Sequence, residues 1–352
     1  MNSKYLTYAW LCFLFMGLFL LLTPLCAALT GEIIFMHPIS TKEIWISNVE
    51  GTNAQKLFQK TLTDIRRIQD KLSVQERGDY VLLIGPGIDE RKVIQNNDIL
   101  LTGNSIDLHL FNRKHKFRNP KNLTLGAFKM ILDADISQNG DVVFLAGREI
   151  YHIPQAQLSK SSPERVLLLT LGNTTRYIGY VEWSPDGKHI AFSSSDGLFL
   201  LDVATNNTFR ITEQEAYNPM FSPDGKKIAF STYVKKPDAG ALATKAIAVV
   251  PVQPDANIEI VHIQENYSFD VDFWSPDGKY IGFSSQPNVE INNIEILQSR
   301  GNFVIPATGG VPKPILLSMN NIVHSLDFVT DSAYAIEPED SLVTTWGKLK
   351  EQ

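Results

Sequence analysis

Cysteine is almost absent from this 352-residue chain: its only two, Cys12 and Cys26, both lie within the first thirty residues. The remainder can therefore form neither a disulfide nor a thiolate metal site. The sequence also lacks an excess of basic residues, because 32 Lys and Arg stand against 38 Asp and Glu, for a formal net charge of −6. A phosphate backbone needs a basic field, so we expect no nucleic-acid partner.

The sequence motifs of catalysis and cofactor binding are missing as well. There is no Gly-x-Ser-x-Gly elbow, His-Glu-x-x-His, Cys-x-x-Cys or glycine-rich phosphate loop. None of the seven histidines has a close partner at the spacing of metal ligands. We therefore predict a non-enzymatic protein with no catalytic residue, no cofactor and no metal ion.

One long apolar run opens the chain. Residues 8–22 contain no charged residue, Lys4 precedes them, and Ala28 follows at a position suited to cleavage. We predict a signal peptide over residues 1–28, and hence a periplasmic or secreted protein. The alternative is an uncleaved anchor, because the run approaches the ~20 residues that span a bilayer. Only this segment would then contact the membrane.

Three nearly identical segments recur at residues 183–194 (WSPDGKHIAFSS), 221–231 (FSPDGKKIAFS) and 274–285 (WSPDGKYIGFSS). In each, a strand ends at the aromatic residue, proline fixes φ at the first turn position, and glycine supplies a position with φ > 0. The next strand alternates polar and apolar residues. Each segment predicts a β-hairpin, in which Gly187, Gly225 and Gly278 have φ > 0.

Weaker copies of this segment begin at residues 74, 136 and 328. The six copies are about 51 residues apart, and a four-stranded propeller blade needs about 40–50 residues. We predict an all-β fold, a six-bladed β-propeller of four antiparallel strands per blade, over residues 29–343, with a short tail at 344–352. Helix should be nearly absent after the leader.

The two ends of the propeller should meet in one blade. Residues 31–48 read as the second and third strands of a blade, whose first strand appears only near residue 328. Pairing of these segments would close the ring and remove the free sheet edges that favour association. We therefore expect a monomer.

The Trp-Ser-Pro-Asp-Gly-Lys hairpins resemble the WD-type repeats of the periplasmic TolB propeller. They are also similar to the propellers of prolyl-oligopeptidase-like and tricorn-like peptidases. Two departures matter, because the chain has room neither for the N-terminal α/β domain of TolB nor for a peptidase domain after residue 340. The resemblance implies a propeller, and the missing catalytic motifs favour binding of other molecules over an enzymatic role.

Acidic residues collect just before the aromatic position of the repeats, and they are Asp133, Asp135, Glu182, Asp270, Asp272 and Asp327. The first strand of a blade lines the central channel. Asp135, Glu182 and Asp327 should therefore occupy equivalent places around it. We interpret the six as a partner-binding channel mouth that attracts cations or basic segments, and the alternative is a set of solvated carboxylates.

Three long connections between second and third strands, at residues 85–104, 232–245 and 286–300, emerge on one face of the predicted ring. Insertions collected on one face usually mark the binding side. We therefore predict an exported protein that binds a protein or peptide partner on this face. The alternatives are a channel-sited glycan lyase or hydrolase, with paired carboxylates, and a sensor subunit of a larger envelope assembly.

Overall fold

A computed structural model describes residues 31–37, 43–62, 72–74, 79–93, 99–112, 115, 120–172, 178–235, 244–287, 301–316 and 323–329. Strands and tight turns dominate, and helix in this part of the chain is limited to short 3-10 turns such as Gln155–Gln157. No helix among these residues is long and apolar enough to cross a membrane. The predicted signal peptide and the tail at 344–352 lie outside the described residues.

The strands form six blades, which we number along the chain. Blade 1 holds β1 (Glu32–His37), β2 (Glu43–Asn48) and β3 (Gln55–Leu62). Blades 2 and 3 consist of β4 (Leu72–Val74), β5 (Tyr80–Val93), β6 (Ile99–Asn112), β7 (Lys121–Asn122), β8 (Asp133–Ile136), β9 (Val142–Ala146), β10 (Glu149–Ile153) and β11 (Val166–Thr170).

Blades 4 to 6 have the same antiparallel order from the channel outwards. They consist of β12 (Ile178–Trp183), β13 (His189–Ser194), β14 (Gly197–Asp202), β15 (Thr208–Thr212), β16 (Tyr217–Phe221), β17 (Lys227–Lys235), β18 (Thr244–Pro251), β19 (Glu259–Ile263), β20 (Tyr267–Trp274), β21 (Tyr280–Pro287), β22 (Gly301–Pro306) and β23 (Lys313–Ile315).

The last strand, β24 (His324–Val329), completes blade 1 and closes the ring. It pairs with β1 in antiparallel register, with Phe328 opposite Ile33 and Asp327 opposite Ile34. The six-bladed fold and its closure by pairing of the terminal segments are thus confirmed.

The Ser-Pro-Asp-Gly turns have one geometry. In the turn of blade 4, Gly187 N–H donates to Ser184 O at 2.9 Å, and Asp186 Oδ1 accepts hydrogen bonds from Ser184 Oγ at 2.6 Å and Lys188 N–H at 3.0 Å. The aspartates of blades 5 and 6 make the same two bonds. The three glycines have φ of 67°, 68° and 69°, as predicted, because the turn requires a left-handed residue there.

The core is formed by apolar side chains that pack between neighbouring blades. Val143 and Leu145 of β9 pack with Trp183 and Ile190 of blade 4, and similar clusters join blade 4 to blade 5 and blade 5 to blade 6. Each fully buried large apolar side chain contributes roughly 1.5–3 kcal/mol. Buried apolar side chains of neighbouring blades therefore hold the ring together.

The prediction of a long loop at residues 85–104 is wrong. Residues 85–93 belong to β5 and residues 99–104 to β6, and the pairing of these strands runs from Tyr80 opposite Asn112 to Val93 opposite Ile99. Residues 60–62 of β3 pair in parallel with residues 99–101, which joins blades 1 and 2 into one sheet. A hairpin satisfies backbone donors and acceptors that a long loop leaves to water.

The other two predicted loops are shorter than expected in their described parts. Residues 232–235 belong to β17 and residues 244–245 to β18, and the two strands remain paired as far as Lys235 opposite Thr244. Residues 286–287 belong to β21. The remaining positions of both loops lie outside the described residues.

Candidate functional site

The innermost strands place two predicted acids at equivalent points between blades. Asp327 Oδ2 of β24 accepts a hydrogen bond from Val74 N–H of β4 at 2.7 Å. Asp135 Oδ2 of β8 accepts one from Trp183 N–H of β12 at 2.7 Å. Each carboxylate stands one residue before the aromatic position of its repeat, and each bonds the amide at that position in the following blade.

Ser73 extends this arrangement through blade 2. Its hydroxyl occupies the same position in the repeat, accepts from Ile136 N–H at 3.4 Å, and donates to Asp135 Oδ1 at 2.6 Å. The first strand of a blade is a sheet edge, and its buried amides need acceptors. We call these contacts the inter-blade bonds, and they give Asp135 and Asp327 a structural task that the sequence did not reveal.

Asp133, one of the six predicted acids, is completely buried. Its Oδ2 accepts from Val181 N–H, two residues before Trp183, at 2.9 Å. The alternation of strand residues explains the pairing, because Asp133 and Asp135 face the same side and meet two amides of one strand.

Asp272 of β20 is buried. Ser284 Oγ donates to its Oδ2 at 2.5 Å, and the residue is 8% exposed. Burial raises the pKa of Asp272 well above its usual value, and the charges of Asp270 and Asp327 add to this shift, while the Ser284 bond opposes it. The protonated form is therefore favoured relative to a solvated aspartate.

Asp270, in contrast, has a side chain that is 40% exposed. Its Oδ1 lies 3.6 Å from Lys245 Nζ of β18, in the neighbouring blade. Glu182 is half-buried on β12, opposite Ala191, in the register that Asp135 and Asp327 have on their own strands. Asp270, Glu182 and Asp327 are thus the three predicted acids that keep appreciable exposure.

A group of tyrosines surrounds Lys245, and sequence reasoning missed it. Lys245 Nζ lies 4.7 Å from the ring centre of Tyr217 and 5.5 Å from that of Tyr233. Tyr217 also makes edge contacts with Tyr233 at 5.4 Å and with Tyr180 at 6.3 Å between ring centres. We call Tyr180, Tyr217, Tyr233, Lys245 and Asp270 the tyrosine cluster.

The tyrosine cluster lies on the predicted binding face. Tyr217 begins β16, Tyr233 is near the end of β17, and Lys245 is near the start of β18. These strand ends belong to the face from which second-to-third connections emerge. The side chains are half-buried, so each tyrosine presents an apolar ring and a polar hydroxyl together, a combination common at protein interfaces. In the sequence, Tyr233 and Lys245 lie within the insertion at 232–245, whereas Tyr180 and Tyr217 are distant from it, so no local pattern links the cluster.

The opposite face carries a groove of about 600 Å³ between the turns of blades 4 and 5. Pro185 and Pro223 form part of its walls. His189 also lines it, with Nδ1 at 3.9 Å from Asp186 Oδ1 and Nε2 at 3.8 Å from Asp202 Oδ2. No group of three His, Cys, Asp or Glu placed to hold a metal ion occurs among the described residues.

Comparison with known proteins identifies the fold but no family. No protein family model matches the sequence, and no curated protein is similar to it in sequence. A solved structure assigned as TolB, from Agrobacterium tumefaciens, superposes with a TM-score of 0.53 at 16% identity, over 81% of this chain and 88% of that one.

Two further solved structures are more distant. The tricorn protease matches at a TM-score of 0.46 and 10% identity, over 81% of this chain and 31% of its own. The Cps50 (Swd1) β-propeller domain of Myceliophteria thermophila matches at 0.45 and 11%, over 78% of this chain and 80% of that domain. The six blades and the superposition on the TolB structure show that the chain has a TolB-like six-bladed β-propeller fold.

Proposed function

We propose that this propeller is an exported, non-enzymatic protein that binds a basic segment of a protein partner on the face that carries the tyrosine cluster. The observation that supports the proposal is the placement of Tyr180, Tyr217 and Tyr233 beside Asp270 at the channel mouth. Half-exposed tyrosines supply contact area with few rotatable bonds, and such residues dominate the energetics of interfaces.

Electrostatics support a basic partner segment. Lys245 is only 12% exposed, and Asp270 and two ring faces compensate its charge. Glu182 and Asp327 are half-buried in the same channel and add negative charge to a chain that is already acidic. Such a field accelerates encounter with cationic segments and weakens as salt is added.

The carboxylates give less support to glycosidase chemistry. Asp272, with its raised pKa, beside the exposed Asp270 resembles an acid paired with an ionised carboxylate. However, Asp272 is almost entirely buried and its Oδ2 is bonded to Ser284. A glycosidic oxygen would have to reach that carboxyl through the channel wall, so binding accounts for the site better than hydrolysis.

Photo-cross-linking tests which face is used. A photoreactive benzoylphenylalanine at Val234, which is 51% exposed beside Tyr233, should cross-link one defined protein in the native cells. The matched control carries the same group at Lys226, an exposed residue of the blade 5 turn on the opposite face. A specific product from position 226 alone would place the binding site on the face of the Ser-Pro-Asp-Gly turns and refute the proposal.

The cross-linked protein then allows kinetic tests. Tyr233→Ala should weaken its binding at least about tenfold, mainly through faster dissociation, because the ring is lost from the contact. Glu182→Gln should slow association at low salt and have no effect at high salt. Unchanged kinetics in both variants would refute the proposed site.

A further inference from the structure

The outermost strand of blade 3 is unusually apolar for a sheet edge. β11 has the sequence VLLLT, and among the described residues it pairs only with β10. Val166 is 42% exposed and Leu167 is 46% exposed. An open edge presents unpaired N–H and C=O groups, and these groups are complementary to another extended strand.

The other outermost strands each carry charge. Charged residues occur in all five, and they are Lys56 and Lys60 of β3, Lys121 of β7, Arg210 of β15, Glu259 of β19 and Lys313 of β23. A charged side chain on an edge discourages pairing with a foreign strand. β11 is the one outer strand in the described part of the chain that lacks this protection.

Exposed apolar side chains extend beyond β11. Leu125 and Met130, in the connection that leads into blade 3, are 51% and 55% exposed. Arg165 ties this connection to β11, because its Nη1 donates to Thr124 O at 2.8 Å. The ring of Phe128 makes an edge contact with that of Tyr151 in β10, with 5.2 Å between ring centres. Tyr151 lies opposite Leu167 in the pairing of β10 with β11. The connection and β11 thus form one surface, which we call the blade 3 rim.

The blade 3 rim is basic, although the chain as a whole is acidic. Arg165 immediately precedes β11, and Arg148 Nη1 donates to Gly172 O just after it, at 2.7 Å. Lys129, in the connection that leads into blade 3, is exposed. These three positive charges outnumber Glu149 and Glu164. A second copy of the chain would bring like charges together at this edge, whereas an acidic segment would be attracted.

We propose that the blade 3 rim is a docking site for an extended segment of another protein, with an apolar centre and acidic flanks, which adds to blade 3 as a fifth strand. Main-chain hydrogen bonds to β11 supply affinity, and Val166, Leu167 and Leu125 contact the alternate side chains of the segment. Arg148 and Arg165, one at each end of β11, pair with its acidic flanks. This site is separate from the tyrosine cluster and does not depend on it.

Synthetic peptides test the proposal on the unmodified mature protein. The probe has an alternating Val-Thr core with two Glu at each end, about ten residues in all. One control peptide replaces the Glu by Lys, and another replaces alternate core residues by Pro, which removes donors. Fluorescence anisotropy at low salt should show binding of the Glu-flanked peptide, binding at least about tenfold weaker for the Lys-flanked peptide, and none for the Pro peptide.

Protein variants locate the peptide on β11. Leu167→Lys introduces the charge that the other outer strands carry and should weaken binding of the Glu-flanked peptide at least about tenfold. The matched control Ile263→Lys, 49% exposed on the outer strand of blade 5, should leave it unchanged. Hydrogen exchange should show slower exchange of the amides of residues 166–170 with peptide bound.

Three outcomes would overturn the proposal. The Glu-flanked peptide could fail to bind, it could bind equally to Leu167→Lys, or the Pro peptide could bind as well as the probe. Dimerisation of the unmodified protein in sedimentation, abolished by Leu167→Lys while no peptide binds, would assign the edge to a second copy instead. If Leu167→Lys does not fold, the three peptides on the unmodified protein still decide the matter.

Discussion

Replacing Asp135 by alanine tests the inter-blade bonds. The residue is 9% exposed, and its carboxylate accepts hydrogen bonds from Trp183 N–H of blade 4 and from Ser73 Oγ of blade 2. Alanine removes both acceptors and leaves the Trp183 amide without its acceptor at a buried edge. A hydrogen bond to a charged group contributes about 1.5–3 kcal/mol, and an unsatisfied buried donor costs about 1–3 kcal/mol. The Ser73 hydroxyl can rotate, so we expect a total loss of about 2–4 kcal/mol.

The loss is measurable as a lower midpoint of urea unfolding, followed by far-UV circular dichroism. Asp135→Asn keeps one acceptor and should lose about half as much as alanine. The control is Asp196→Ala, at an exposed turn between β13 and β14, which should change stability by less than about 0.5 kcal/mol. If Asp135→Ala unfolds within that margin of the parent, the inter-blade bonds do not stabilise the ring and the argument fails.

Three further changes probe single positions. Burial raises the pKa of Asp272, so its contribution to stability is full at low pH and is lost as pH rises through the folded-state pKa. Asp272→Asn should therefore raise the melting temperature at pH 7, and a gain that persists at pH 3 would contradict the titration. Burial lowers the pKa of His262, which lies 4.9 Å from the Phe269 ring. Its contribution is therefore present above pH ~6.5 and is lost as pH falls. Melting temperatures of His262→Phe should fall less than those of the parent between pH 7 and pH 5, and parallel curves would count against this. Gly225→Val should lower the free energy of unfolding by about 1–3 kcal/mol, because φ at this position is 68° and a β-branched residue is strained there. The cost comes from the backbone alone, since an added Cβ would lie at an ordinary contact distance, 3.7 Å, from Pro185 Cδ. An unchanged unfolding midpoint would show that the turn tolerates a β-branched residue.

The proposed binding site was predictable only in part. The face was inferred from insertions in the repeat, and the tyrosine cluster lies on that face, although the insertion at 85–104 proved to be a hairpin. The pattern of residues in this insertion did not reveal that residues 99–101 pair with β3. That strand belongs to blade 1, so the pairing is not part of the repeat. The exposed Asp270 and the buried Asp272 stand only two residues apart, and nothing local in the sequence separates them.

The sequence by itself determined the hairpin turns, the number of blades and the closure of the ring. The turns depend on interactions over a few residues, such as the Ser184 to His189 bonds of blade 4. The number of blades and the pairing of the terminal segments were readable because these turns repeat along the chain. Tertiary structure alone decided the role of the acids. Asp135 meets an amide 48 residues away, and Asp327 meets one 253 residues away. A carboxylate is solvated or buried according to which blade stands next to it, and that neighbour exists only once the ring has closed.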